Sequence, residues 1–243
     1  MAKLKVPSLQ HLARNWRNDP QWIKRLLVDL ARNPPTFNYD PLFGAVRDML
    51  VLKIPYEQIE EGIRRGIKQD GVRNNLLSVL PLVREYFRDI TPTFVQTIER
   101  RYYPVGRGLR IPFQPPLIYG VDGQVHFPWF SFWRSNPLKN ERLSLFTAIV
   151  DDVLFQDPDL EAAKFMILDF SASAPKQPRD LKVTDARDIP RVSAEEKVAM
   201  LSVFAEGFFL AEGELAAEPR ATPESQPSDE TPNRDQPDLF DDR

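Results

Sequence analysis

A chain of 243 residues, 42% hydrophobic and 28% charged, has the length and apolar content for one substantial domain or two small ones. It holds no cysteine and only two histidines, His11 and His126, which excludes disulfides, thiolate or histidine-rich metal sites, cysteine nucleophiles and iron–sulfur clusters. Its net charge of −3 hides a gradient: residues 1–110 carry 19 Lys/Arg against 11 Asp/Glu, residues 111–210 carry 10 against 14, and residues 211–243 carry 3 against 10.

The first segment, MAKLKVPSLQ, has no apolar run behind its two lysines, and nowhere do about 18 uncharged apolar residues follow one another. A cytoplasmic, non-secreted protein with no membrane contact is expected. Residues 1–92 read as a helical module of short helices punctuated by proline. Ser8 is placed to cap a helix carrying Leu9, Leu12 and Trp16, and Asp19-Pro20 supplies an N-cap and a first-turn proline for a second helix with Trp22, Ile23, Leu26, Leu27 and Leu30 on one stripe. Pro34-Pro35 ends it. Asp40-Pro41 opens a helix with Leu42, Val46, Met49 and Leu50, and Pro55 opens another with Ile59, Ile63 and Ile67, which Asp70-Gly71 is expected to terminate. A longer helix over 72–89 follows, with a kink expected at Pro81. The basic charge of this half suits DNA or an acidic partner, and equally suits solvated helix surfaces.

From residue 93 to 216 the pattern is α+β, continuous with the first module in one body. TFVQTIERRYYPV, GLRIPF and LIYGVDGQVHF are rich in β-branched and aromatic residues, and Val121-Asp122-Gly123-Gln124 carries the Asp-Gly of a tight hairpin. Prolines 104, 112, 115, 116 and 128 point to edge strands or bulges. FPWFSFW, residues 127–133, reads as a core plug between helices and sheet. Pro137 opens an amphipathic helix, KFMILDF and RDLKVTD read as two strands, and Ser193-x-x-Glu196 is a capping box before a last helix with the stripe Val198, Leu201, Phe204, Phe208 and Leu215. The expected fold is therefore α+β: short N-terminal helices packed with a small, largely antiparallel sheet and two longer helices. Residues 217–243 are acidic and proline-rich, with too few apolar side chains to offset the entropy of ordering, so a disordered tail is expected.

No Walker motif, G-x-G-x-x-G, G-x-S-x-G or H-E-x-x-H occurs, so the local signatures of nucleotide binding, acyl transfer and zinc hydrolysis are absent, and no cofactor is expected. Asp151-Asp152 are consecutive on a helix and point about 100° apart, which suits surface roles better than one shared metal. Asp157 and Asp159 flank Pro158 in a turn. Asp169, with Asp180 and Lys182 on the next strand, resembles the acid plus acid-x-lysine set of the PD-(D/E)xK nucleases. The resemblance implies Mg²⁺-assisted phosphodiester cleavage at those three residues, as the alternative to a protein with no catalytic site. His11 and His126 have no partner pattern and read as structural.

One motif in the tail has higher specificity. Gln236-Pro237-Asp238-Leu239-Phe240 resembles the Q-x-x-L-F peptides with which bacterial polymerases, mismatch-repair factors and replication regulators bind the β sliding clamp of DNA polymerase III. The resemblance implies that Gln236 hydrogen-bonds at the rim of a cleft between clamp domains, that Leu239 and Phe240 fill its apolar pocket, and that Asp238 occupies a tolerant position. An internal near-copy, Arg142-Leu143-Ser144-Leu145-Phe146, lies in the amphipathic helix with an apolar face turned to the core, so it is expected to be unavailable. The outline of a small body with a clamp peptide is also similar to the SocB-type replication-blocking toxins, which implies an antitoxin or proteolytic adaptor as a further partner. The functional expectation is clamp binding, by a replication or repair regulator or by a toxin.

Overall fold

Prolines near the front of the chain start helices more often than they end them. The structure, a computed structural model, describes residues 4–35 and 38–217. Helix α1 spans Leu9–Asn15 and α2 spans Pro20–Arg32, where the Asp19 carboxylate accepts the Gln21 N–H at 2.8 Å and so caps the helix. Then come α3 (Asp40–Leu50), α4 (Tyr56–Gly66), α5 (Asp70–Leu77) and α6 (Leu80–Phe87). Two boundaries differ from expectation. Helix α4 stops at Gly66, and Asp70-Gly71 begins α5 instead of terminating α4. The single kinked helix over 72–89 is two helices, because Pro81 lies in the first turn of α6, where a missing N–H costs nothing and a restart is easier than a bend.

The strands are β1 (Phe94–Gln96), β2 (Arg101–Gly106), β3 (Leu109–Phe113), β4 (Ile118–Val121) and β5 (Gln124–Ser131). Helix α7 (Glu141–Leu154) precedes β6 (Lys164–Asp169) and β7 (Lys182–Asp185), and α8 (Ala194–Ala217) ends the described chain. The order β1-β4-β5-β6-β7 forms one sheet, and β2 with β3 forms a separate hairpin. Asp122 and Gly123, at φ 51° and 75°, make the left-handed turn that joins β4 to β5. All neighbours in the large sheet are antiparallel except β5 and β6, which run parallel and are connected through α7. Helix α7 begins after Asn140, at φ 52°, and not at Pro137.

Pro128 sits in β5, a central strand, where an edge position or bulge was expected. Its placement is tolerated because it shares the alternation of Gln124 and His126, the β5 residues registered with Val121 and Tyr119 of β4. That pairing stops at Tyr119↔His126, so the missing donor falls beyond the ladder.

The sheet separates two cores. Phe127, Trp129, Phe165 and Ile167 face one side, where they pack with α1, α2, α7, α8 and the β2–β3 hairpin. Tyr119, Phe130, Phe132, Leu168 and Phe170 face the other, against α3 to α6. FPWFSFW is core, as its composition implies. The stretch read as one helical module over 1–92 thus serves both faces, α1 and α2 on one and α3 to α6 on the other.

Helix α8 opens with the expected capping box: the Ser193 N–H donates to Glu196 at 2.8 Å and the Glu196 N–H donates to Ser193 Oγ at 3.1 Å. Val198, assigned to the buried stripe, is 63% exposed; Met200, Leu201, Phe204, Phe208, Ala211 and Leu215 carry the contact. Helices α2 and α8 run side by side in the same direction. Trp16 Nε1 donates to the Met200 carbonyl at 2.9 Å, Gly207 lies against Pro20 and Ile23, and Glu214 pairs with Lys24 at 2.7 Å and Arg32 at 3.3 Å. No helix among the described residues is long and apolar enough to cross a membrane. The residues expected to form a disordered tail lie outside the described residues from 218 onward.

A Cβ at Gly207 would meet Ile23 side-chain carbons at 2.7 Å and the Pro20 carbonyl at 2.8 Å, whereas one at Gly213 meets nothing within 4 Å. Gly207→Ala should therefore cost about 1–3 kcal/mol in urea unfolding, while Gly213→Ala should stabilise by up to about 1 kcal/mol through helix propensity.

Lys24, with Arg32 assisting, holds the Glu214 carboxyl below its usual range. Its contribution is then complete above about pH 4.3 and is lost as pH falls through the lower folded-state value. Glu214→Gln should flatten the acid limb of the stability profile below about pH 4 in denaturant melts taken at successive pH values.

Candidate functional site

The carboxyl ends of the two parallel strands are where an α/β crevice would lie, and here that end is closed by a buried arginine. Beyond Ser131 and Asp169, which are in register, the chain turns away from the sheet and leaves carbonyls without strand partners. Arg179 Nη1 donates to three of them, those of Phe132, Trp133 and Phe170, at 3.1, 3.0 and 2.8 Å. Its Nη2 donates to Asn75 Oδ1 of α5, which lashes the sheet end to the helices of the second core. Burial lowers the Arg179 pKa, an effect that Tyr39 opposes. The planar guanidinium suits this task, since Nη1 serves the carbonyls while Nη2 reaches Asn75 at the same time.

Asp169, the first of the three acid-x-lysine residues, is buried beside this clamp. Its carboxylate accepts from Asn136 Nδ2 at 2.7 Å, from the Ser171 N–H at 3.1 Å and from Ser171 Oγ at 3.2 Å. Lys182 stands directly opposite it in β7 and is exposed. Asp180 does not share that strand: β7 begins at Lys182, and Asp180 is an exposed loop residue whose carboxylate accepts the Leu181 N–H at 2.8 Å. The fold brings Asp169 and Lys182 together and leaves Asp180 outside. Among the described residues no group of three or more His, Asp or Glu side chains converges as a metal site.

Next to the clamp lies a crevice of about 470 Å³, lined by Tyr39, Gly71, Val72, Asn74, Asn75 and Arg134. Among the described residues its polar groups are amides, one phenol and one guanidinium, which can hydrogen-bond a ligand but include no carboxylate, imidazole or amine for proton transfer.

The remaining carboxylates join elements. Asp151 pairs with Arg191 at 2.6 Å; burial raises its pKa, and Arg191 pulls it back. Asp152 accepts the Tyr103 hydroxyl at 2.7 Å and pairs with Lys197, tying the hairpin to α7 and α8. Burial pushes the Tyr103 pKa up, and the Asp152 carboxylate adds to the effect. Asp157 pairs with Arg101 and accepts the Asp159 N–H at 3.1 Å. His11 packs edge-on to Trp133 at 6.0 Å, and His126 stacks on Tyr119 at 5.0 Å; burial lowers the pKa of each.

Gln236, Asp238, Leu239 and Phe240 lie outside the described residues. The internal near-copy does not: Arg142 to Phe146 lie in the first turns of α7, with Leu145 and Phe146 fully buried. The residue that sequence reasoning missed is Arg179. It is the first letter of RDLKVTD, and nothing local distinguishes it from any loop arginine.

No protein-family model matches the chain, and no curated protein matches it either.

Arg179→Ala should destabilise by about 3–5 kcal/mol in urea unfolding, because several buried carbonyls lose their donor together. Arg179→Lys should recover less than half of that loss, since a single ammonium cannot span the carbonyls and Asn75.

Proposed function

We propose that the protein is a ligand of the bacterial β sliding clamp that docks through Gln236, Asp238, Leu239 and Phe240 and acts as a regulator of replication or repair. The observation that carries the reading is the tail peptide itself, a Leu-Phe pair three residues from the end of an acidic, proline-rich segment that has little other apolar content. The internal near-copy supports the choice of segment by contrast, since its Leu145 and Phe146 are committed to the core on a helix.

The energetics fit a tether. Burying one Leu and one Phe contributes roughly 1.5–3 kcal/mol each, which after the cost of ordering the segment leaves about micromolar affinity for the peptide alone. Tighter association needs a second contact from the body or the two-site avidity of a dimeric clamp. A ligand of this kind works in the cytoplasm, where the clamp is. If the body recruits DNA or a repair enzyme, the protein is an accessory factor. If it only fills the cleft, it excludes polymerases and acts as a replication-blocking toxin, with an antitoxin or proteolytic adaptor as its restraint.

In a pull-down on immobilised clamp, the full chain should be retained and the Leu239→Ala/Phe240→Ala variant should wash through; equal retention of both overturns the proposal. Growth arrest on overexpression that disappears in the same variant assigns blockade, and arrest that persists excludes blockade by the tail.

A further inference from the structure

Helix α1, the start of α2 and the first turn of α7 meet on one face, and three arginines come with them. Arg142 Nη1 donates to the Arg14 backbone carbonyl at 3.3 Å, which brings α7 against the end of α1. The Arg14 guanidinium lies over the Trp133 ring, 5.2 Å from its centroid, and that of Arg17 lies over Trp22 at 4.5 Å. Arg17 also donates to the Trp16 carbonyl at 2.7 Å. Stacking of this kind contributes about 0.5–1 kcal/mol at exposed sites, and it uses the flat face of the guanidinium while leaving in-plane N–H donors for other partners.

These arginines differ from those of α4 to α6 in their lack of acid partners. In α4 to α6, Arg64 pairs with Glu60, Arg65 with Glu61, Arg73 with Asp70, Arg84 with Glu57 and Arg88 with Glu85. Among the described residues no carboxylate pairs with Arg14, Arg17 or Arg142. Glu141 adjoins Arg142 in the first turn of α7 and Asp19 follows Arg17 by two residues; neither pairs with the three arginines, Asp19 capping α2 and lying 3.9 Å from Arg25. Burial and the neighbouring Arg142 charge both pull the Arg17 pKa down, as expected where like charges are gathered without compensation. Such a set is unfavourable in the isolated molecule and favourable against a polyanion.

We infer that the face formed by Arg14, Arg17 and Arg142 with Trp22 and Trp133 binds the phosphate backbone of a nucleic acid. Closely spaced phosphates match three guanidiniums on one surface, two of them held in place by the indoles they cover. The site recognises charge and shape and reads no base sequence. It stands independently of the tail and the clamp.

Anisotropy of a labelled oligonucleotide, single-stranded and as duplex, titrated with the full chain in the absence of clamp, tests this. Three phosphate contacts predict a log K against log salt slope of about −2 to −3, a loss of about 20- to 40-fold between about 50 and 200 mM salt. Arg14→Gln/Arg17→Gln/Arg142→Gln should weaken binding at least about tenfold and flatten the slope by about 2 to 3. Arg14→Lys/Arg17→Lys/Arg142→Lys keeps the charge and should keep most of the slope. Arg64→Gln/Arg65→Gln/Arg88→Gln removes the same charge from the other helical layer and should bind like the wild type; its thermal melt beside that of the first variant separates site loss from unfolding. Equal weakening by the two Gln triples overturns the inference, as does the absence of oligonucleotide binding at low salt. Binding of a poly-glutamate peptide that the oligonucleotide does not displace also overturns it.

Discussion

A strand that is apolar on both faces cannot be left half covered, and β5 is such a strand. Phe127 and Trp129 project to one side and Phe130, with Phe132 just beyond the strand, to the other; β6 repeats the arrangement with Phe165 and Ile167 against Leu168 and Phe170. Each side therefore needs its own layer of helices, which is the ordinary condition of a parallel strand pair. The positions of the helices follow from that requirement. Helix α7, crossing between the two parallel strands, is buried along most of its length, and α8 and α2 then cover one side of the sheet while α3 to α6 cover the other.

Two covered faces still leave the strand ends exposed, and the carboxyl ends of β5 and β6 are closed by Arg179. A buried cation with no carboxylate in its hydrogen-bond shell is costly in itself, and the carbonyls it satisfies are costly without it. Each offsets part of the other, and the arrangement ties the loop after β6 to the sheet end and connects it to α5 through Asn75. Asp169, held by Asn136 and Ser171 in the same corner, belongs to this polar closure. The acid that letter spacing marks as a metal ligand is, in the folded chain, bonded to an amide and a serine.

Features set within a few residues were legible in the chain. Asp-Gly at 122–123, Asp19-Pro20 and the Ser193/Glu196 box each solve a local backbone problem with local atoms, so their letters suffice. Features set by distant partners were not. Whether Pro81 bends a helix or restarts one depends on how α5 and α6 pack, and the parallel pairing of β5 with β6 depends on α7 lying over the sheet. The split of the first ninety residues between two cores is equally invisible, because an amphipathic stripe does not name the surface that covers it. The carboxylates follow the same rule: Asp152, Asp151 and Asp157 are plain in the sequence, while Lys197, Arg191 and Arg101 arrive from 40 or more residues away. Val198 was misplaced because the body-facing position in the first turn of α8 is taken by Lys197, paired with Asp152, and not by its apolar neighbour.

The account that joins these parts is a body with a double core, an arginine–tryptophan face on the α1–α7 side, and a tail proposed to seat Leu239 and Phe240 in another protein. The most direct test is fluorescence anisotropy of the labelled full chain on purified β clamp, with a synthetic Q-x-x-L-F peptide titrated as competitor. The account predicts complete displacement of the chain by the peptide, because both occupy the same cleft. A chain that remains clamp-bound at saturating peptide would contradict it.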